Sequence, residues 1–236
     1  MTVLAIIPAA GAGVRMGGET PKQFLSLDGV PIMVHTLRKF DLADCVDEIY
    51  VGLRHDDLER ARTEIEREHF QKPVLLVVGG ATRQQTVAAA IAEASSSTEI
   101  VVVHDAVRPF ISREMIRQVI EAARKSGAAI LGIPSVDTVK QVERQTILGT
   151  IPRERIVLAQ TPQAFRFEIL KEAFDRAQAD GYEGTDEASL VERLGQSVTV
   201  LLGSDRNIKI TKPSDLPLAR LFITQEREQT KRQTSL

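Results

Sequence analysis

Four glycines and two cations crowd one short stretch near the start of the chain. Gly11, Gly13, Gly17 and Gly18 fall close together, and Arg15 and Lys22 lie in and just after that loop. Without a Cβ, glycine leaves its backbone N–H bare and accepts positive φ, which suits wrapping a polyanion. Fixed positive charge beside such a nest stabilises phosphate, and also charge that grows on phosphate during a reaction. A plain glycine-rich turn in any α/β domain has the same composition. Spacing separates the phosphate-binding readings. A dinucleotide fingerprint, G-x-G-x-x-G, needs its third glycine where Met16 stands; the glycine comes one residue late, at Gly17. A P-loop, G-x-x-x-x-G-K-S/T, fits residues 13–20 except that Glu19 occupies the lysine position, where a carboxylate repels phosphate. A third pattern, G-x-G-x-R-M-x(4)-P-K, matches residues 11–22 with nothing left over.

Elements must carry these residues. The apolar run 2–7 predicts a buried parallel strand that Pro8 ends by removing a ladder donor. Strand-like segments at 47–53, 73–78, 99–103, 128–133 and 198–202 alternate with helix-like ones at 31–42, 55–70, 83–94, 112–125, 167–179, 185–194 and 216–226. That alternation predicts an α/β fold with a single doubly wound, mostly parallel sheet. The strand at 73–78 reads as buried, Ser112 and Thr185 as N-caps, and the tail from 229 as fraying. Residues 136–155 break the rhythm. They are too polar for a core strand and too β-branched for a helix, with Glu143-Arg144-Gln145 as the turn of a β-hairpin. An isolated hairpin is marginal in water, so this arm needs a surface to rest on, and a second subunit is the natural one. Ligands of open α/β sheets collect at the carboxyl ends of the strands. The rule draws the glycine loop, 79–83, 104–109, 137–138 and 207–209 towards one edge.

At 236 residues the chain is long enough for one sizeable α/β domain over 1–236, or at a stretch two small ones, with 136–155 as an arm. A formal net charge of −2, with acids and bases interspersed, leaves no footprint for nucleic acid. The absence of Trp argues against a base-stacking platform. Cys45 is the only cysteine, which excludes a disulfide framework and fits a reducing cytoplasm. The first apolar run is too short for a signal peptide, and no stretch reaches membrane-spanning length. A soluble cytoplasmic protein is expected.

Residues 8–16, P-A-A-G-A-G-V-R-M, followed by P-K-Q-F, resemble the sugar-nucleotide and polyol-phosphate nucleotidyltransferases. Within these the chain is similar to the 2-C-methyl-D-erythritol 4-phosphate cytidylyltransferase family of the non-mevalonate isoprenoid route. The likeness extends through G-G-x-x-R-x-x-T-V, H-D-A-x-R-P, D-T-x-K, R-x(7)-T-P-Q-x-F, T-D-E-A-S and N-I-K-I-T-x-P-x-D, all in order. It implies a Rossmann-like nucleotidyltransferase fold that joins CTP to a polyol phosphate with Mg²⁺ or another divalent cation. It also implies a homodimer formed through the arm. Ala9, Ala10, Gly11 and Gly13 would hold the nucleotide through backbone groups, and Gly80 and Thr86 would read cytosine in the same way. Arg15 and Lys22 would stabilise the transition state at the α-phosphate. Asp105, Arg108, Thr138, Arg153, Thr161 and Lys209 would hold the polyol phosphate, with Arg153 and Lys209 aiming its phosphate. Thr138 and Arg153 would serve the neighbouring subunit's site. Asp105 is also a candidate for touching the metal, which the triphosphate would mainly hold.

The residue types suit that chemistry. A phosphate monoester with a second pKa of about 6 is already mostly dianionic at neutral pH and needs no general base. It needs positioning and charge stabilisation. No histidine is read as catalytic, and His104, nearest the site, is expected to be a structural hydrogen-bonder. Three alternatives remain: the sister ribitol-5-phosphate cytidylyltransferases, a non-catalytic nucleotide sensor, and a dehydrogenase. Val139-Lys140 and Ala159 lean towards the methylerythritol enzymes; Arg15 and Lys22 weigh against a sensor; glycine spacing weighs against a dehydrogenase.

Overall fold

The computed structural model describes residues 2–11 and 20–234, with side chains up to 229. Gly13 and Arg15, both expected to act at the site, lie outside the described residues. The first strand, β1 (Thr2–Pro8), shows how the layers form. Successive side chains of a strand point to opposite faces. Val3, Ala5 and Ile7 therefore enter one core, and Leu4 and Ile6 enter another on the far side of the sheet. Each fully buried aliphatic side chain of this kind contributes about 1.5–3 kcal/mol.

The rest of the chain covers those two faces. A short hairpin, β2 (Ser26–Leu27) and β3 (Val30–Pro31), turns at Asp28-Gly29, both with positive φ, and leads into α1 (Ile32–Asp41). Next come β4 (Glu48–Leu53), α2 (Leu58–Glu66), β5 (Val74–Val78), α3 (Arg83–Ala92), β6 (Thr98–Val103), α4 (Arg113–Ser126) and β7 (Ala128–Pro134). Met33, Leu37 and Phe40 of α1 and Ile116, Val119 and Ile120 of α4 cover the first face. Val87, Ala90 and Ile91 of α3 cover the second. There they join Leu170 and Phe174 of α5 (Phe167–Ala179) and Leu190 and Val191 of α6 (Glu187–Arg193). After β11 (Thr199–Leu202), α7 (Leu216–Thr234) closes a third cluster through Ala219 and Ile223.

Among the described residues the central sheet has seven strands, in the order β11-β7-β10-β6-β1-β4-β5. Six run parallel. The seventh, β10 (Val157–Arg166), lies antiparallel between β6 and β7, near the middle of the sheet. Sequence reading places no element there. Pro162 lacks the donor a central strand needs, and Gln160, Thr161 and Gln163 look like a loop. The strand tolerates them because its pairing with β7 shifts register between Gln160 and Gln163. The Thr161–Pro162 peptide is cis.

Three other expectations are corrected. β5 is the outer strand, and Leu75 and Val78 are exposed, so 73–78 is not buried. The N-cap of α6 is Asp186, whose side chain accepts from Ser189 N, and not Thr185. The last helix continues to Thr234, eight residues beyond the expected 226.

The arm forms as the sequence predicts. β8 (Val139–Glu143) and β9 (Thr146–Ile151) pair only with each other among the described residues. Arg144 (φ 43°) and Gln145 (φ 71°) make the turn. Val136 is 80% exposed, Ile147 60% and Leu148 57%, so apolar side chains face away from the domain.

Candidate active site

A cleft opens at the carboxyl ends of β1, β5 and β6, lined in part by Ala10, Gly11, Lys22, Gly80, Arg83, Asp105 and Lys209. Four of the five stretches drawn together from the sequence meet there. The fifth, 137–138, does not line it.

The β1 wall is fixed by backbone. Ala9 N–H donates to Gly52 O (2.7 Å), and Gln23 Nε2 donates to Ala9 O (2.6 Å). The Ala9 N–H is thus spent within the sheet, its carbonyl keeps a second lone pair, and Ala10 and Gly11 form the more accessible lip. Gln23 and Lys22 belong to a single 3-10 turn that Pro21 starts, so the buried amide anchors the turn that carries the cation.

Across the cleft, α3 starts with a capping box in which Thr82 accepts from Gln85 N (3.2 Å) and Gln85 Oε1 accepts from Thr82 N (3.3 Å). The loop before it must approach this helix closely. A Cβ on Gly80 would lie 2.4 Å from Gln85 Cβ, so only glycine fits. Thr86 lines the cleft, but its N–H and its hydroxyl both donate to Thr82 O (3.0 and 2.9 Å). The helix consumes the backbone donor expected to read cytosine, and Thr86 instead offers its hydroxyl oxygen as an acceptor.

Charge is concentrated at the end of β6. Asp105 is buried, and its carboxylate meets Arg83 Nε (3.1 Å), Lys209 Nζ (2.7 Å) and Arg108 Nε (3.5 Å). Burial alone would raise its pKa, but Arg83, Lys209 and Arg108 outweigh that and hold the carboxyl far below the usual carboxylate range. Arg83 also reaches Glu187 (2.6 Å). Burial pulls its guanidinium down, but the two carboxylates more than reverse this and leave its pKa above the ordinary arginine value. Arg108 goes the other way, because burial exceeds what Asp105 returns.

Hydrogen bonds fix the cluster. Thr161 Oγ1 accepts from Asp105 N (3.0 Å) and keeps a proton to donate. Asn207, fully buried, donates its side-chain amide to Thr161 O (2.8 Å) and Gln160 Oε1 (3.2 Å), and its backbone carbonyl accepts from Arg108 Nη1 (2.7 Å). Ile210 N–H donates to Val107 O (3.0 Å), strapping the Lys209 loop to the end of β6. His104 is fully buried, with Nε2 3.0 Å from Arg108 O, and burial lowers its pKa to about 4. It is neutral at physiological pH and braces the loop.

Thr138 and Arg153 stand apart from this cleft on the arm. Both are exposed, and Arg153 Nη1 donates to Val136 O (2.6 Å). Sequence reading assigned no role to Arg83, Glu187, Asn207 or Gln23. Their signals in the sequence are position, just after strands or in first helical turns, and a place within the motifs P-K-Q-F, G-G-x-x-R, T-D-E-A-S and N-I-K. Asp105 is the carboxylate of the cleft floor, where a cation carried by substrate phosphates would meet it. The described residues contain no group of three His, Cys, Asp or Glu side chains able to hold a metal ion, and both Asp105 oxygens meet cationic side chains. Among the described residues no helix is long and apolar enough to cross a membrane.

Comparison with known proteins gives the same picture. The family model described as IspD, 2-C-methyl-D-erythritol 4-phosphate cytidylyltransferase, matches residues 3–225. A relative of that description from Acidobacterium capsulatum is 52% identical, covering 95% of this chain and 98% of its own. The crystal structure of 4-diphosphocytidyl-2C-methyl-D-erythritol synthase from Anaerococcus prevotii superposes with a TM-score of 0.84 at 30% identity, covering 94% of this chain and 96% of its own. That of the cytidylyltransferase from Thermus thermophilus gives 0.78 at 36%, covering 94% and 98%. A mostly parallel sheet with one reversed strand, a glycine-lined nucleotide edge and a cation cluster around one aspartate thus occur in a chain matched along nearly its whole length, which belongs to the 2-C-methyl-D-erythritol 4-phosphate cytidylyltransferase family.

Proposed function

We propose that the protein condenses CTP with 2-C-methyl-D-erythritol 4-phosphate, giving 4-diphosphocytidyl-2-C-methyl-D-erythritol and pyrophosphate for isoprenoid precursor synthesis. The observation that carries this is the pairing of a backbone-lined nucleotide lip with the Asp105–Arg108–Lys209 cluster in one cleft. A phosphate oxygen of the polyol attacks the α-phosphorus, and the α–β bridging oxygen leaves with pyrophosphate. Ala10, Gly11 and Gly13 hold the triphosphate, while Gly80 and Thr86 meet the cytosine edge. Lys22 and Arg15 stabilise charge at the α-phosphate. Asp105 accepts from polyol hydroxyls, Thr161 donates to the substrate, Arg108 helps to hold it, and Lys209 aims its phosphate together with Arg153 of the partner subunit. Mg²⁺ or another divalent cation belongs to the triphosphate and not to a protein cage.

The acceptor site is completed by a second copy. The arm exposes apolar side chains on two strands and keeps Thr138 and Arg153 out of its own chain's cleft. A homodimer through the arm would cover those side chains and bring both residues to the neighbour's cleft. Metabolite substrates and a single half-buried cysteine support a cytoplasmic location.

The test is pyrophosphate release with CTP or UTP, and with methylerythritol or ribitol phosphate. A buried mismatched group costs about 1–3 kcal/mol, so CTP is expected to exceed UTP by at least roughly tenfold in kcat/KM. Methylerythritol phosphate should be the better acceptor. Preference for ribitol phosphate, or equal use of CTP and UTP, would overturn the assignment.

A further inference from the structure

Glu187 opens α6 and does not line the cleft, yet it is almost completely buried. Its Oε1 accepts from Arg83 Nη1 at 2.6 Å, and its Oε2 has no hydrogen-bond partner. Arg83 opens α3 and uses Nε for Asp105 Oδ1 at 3.1 Å. The opposite oxygen of Asp105 meets Lys209 and Arg108. A line of charge therefore runs from a helix outside the cleft to the carboxylate on its floor. Three cations and two carboxylates take part, leaving the cluster net positive, as a phosphate dianion requires.

Stability alone does not explain this arrangement. Burying ions is costly, and well-packed apolar side chains often serve a fold equally well. What an arginine between two carboxylates supplies is direction, because its planar fork fixes each partner relative to the other. We propose that Arg83 and Glu187 are positioning residues for the acceptor polyol phosphate. Glu187 sets the angle of the Arg83 fork, Arg83 holds Asp105 Oδ1, and the other edge of Asp105 faces the cleft together with Lys209. The inference rests on the proposed function and adds to it the residues that aim its acceptor site. The nucleotide lip at Ala10 and Gly11 shares none of these contacts.

The experiment compares steady-state kinetics of wild type, Glu187→Gln and the double variant Arg83→Met/Glu187→Met, with both substrates varied. Glutamine keeps the size and an acceptor but loses the charge that fixes the fork. The expected result is a rise of about tenfold in KM for methylerythritol phosphate, the weight of one fixed hydrogen bond, with KM for CTP within twofold. The double variant replaces the buried pair with apolar chains, keeps the fold, and shows at least the same rise. A folded Glu187→Gln protein with unchanged KM for the polyol phosphate overturns the inference, as does an equal rise for CTP. If Glu187→Gln does not fold, the double variant decides by the same two readings. Wild-type protein inactive on methylerythritol phosphate would instead overturn the underlying function, and the inference with it.

Discussion

The cleft and the arm invert each other's chemistry. In the cleft, polar side chains are buried: Asp105 is 6% exposed, Thr161 5% and Asn207 0%. They are held because each meets partners on other elements. On the arm, apolar Val136, Val142, Ile147 and Leu148 are exposed, the last three on two strands that pair only with each other among the described residues. A buried polar network fixes geometry where phosphates must be aligned to a fraction of an ångström. An exposed apolar ribbon is an element whose burial is left to another molecule. One region has its shape within a single chain; in the proposed dimer, the other would acquire its role on assembly.

The most damaging way to break the cleft is to remove its charge without touching its scaffold. Lys22→Ala should lower kcat by roughly 10²–10³, the usual loss for one preorganised charge-stabilising donor. KM for CTP should change little, since backbone groups hold the triphosphate. The same outcome is expected for Arg15→Ala from its place in the motif. Near-normal turnover, measured by pyrophosphate release, would remove Lys22 from the chemistry.

Acid should destabilise the fold through its buried histidines. The fold depresses the pKa of His104 from its ordinary 6.5 to about 4. Between those values the unfolded chain binds a proton that the folded one does not, so stability present above pH 6.5 is lost as pH falls towards 4. The size is about 3 kcal/mol, from about 1.4 kcal/mol per unit. His35 is lowered in the same direction by burial and adds to the slope. The depressed carboxyl of Asp105 contributes only below the ordinary aspartate range, outside this window. Urea denaturation at several pH values should show a shallower slope for His104→Gln, and an unchanged slope would contradict the account.

The arm should respond to its turn and the cleft should not. Arg144 and Gln145 both hold positive φ, which a two-residue hairpin turn of this type asks of Asn-Gly. Arg144→Asn with Gln145→Gly should stabilise the arm by about 1 kcal/mol. Amide exchange in β8 and β9 would slow roughly fivefold while β1 and β6 keep their rates. Equal slowing everywhere would mean that the arm and the sheet open as one unit.

Much of this contrast was legible in the sequence, for unequal reasons. Apolar runs such as residues 2–7 and 99–103 announce buried strands because nothing polar interrupts them. The arm was legible for the opposite reason, as β-branched residues mixed with charge. β10 was hidden because the cluster recruits its residues: Thr161 serves Asp105, and Gln160 serves Asn207, so a central strand looks like a loop. The post-strand rule found Asp105, Arg108 and Lys209. It could not find the Arg83–Glu187 bond, whose ends lie 104 residues apart and meet only when α3 and α6 cover the same face. Only the fold shows that the backbone donors of Ala9 and Thr86 are already spent.

The claim that one site needs the cleft of one chain and the arm of another is tested by mixing two inactive variants. Lys22→Ala and Arg153→Ala homodimers should each be nearly inactive. Co-refolded at equal concentration, about half the dimers are mixed, and each mixed dimer carries one site with both defects and one with neither. CTP-dependent pyrophosphate release should then recover to roughly a quarter of the wild-type rate. Mass-tagged subunits verify the exchange. With exchange verified, activity no higher than that of the separate variants would place both residues in the same chain's site and contradict the account.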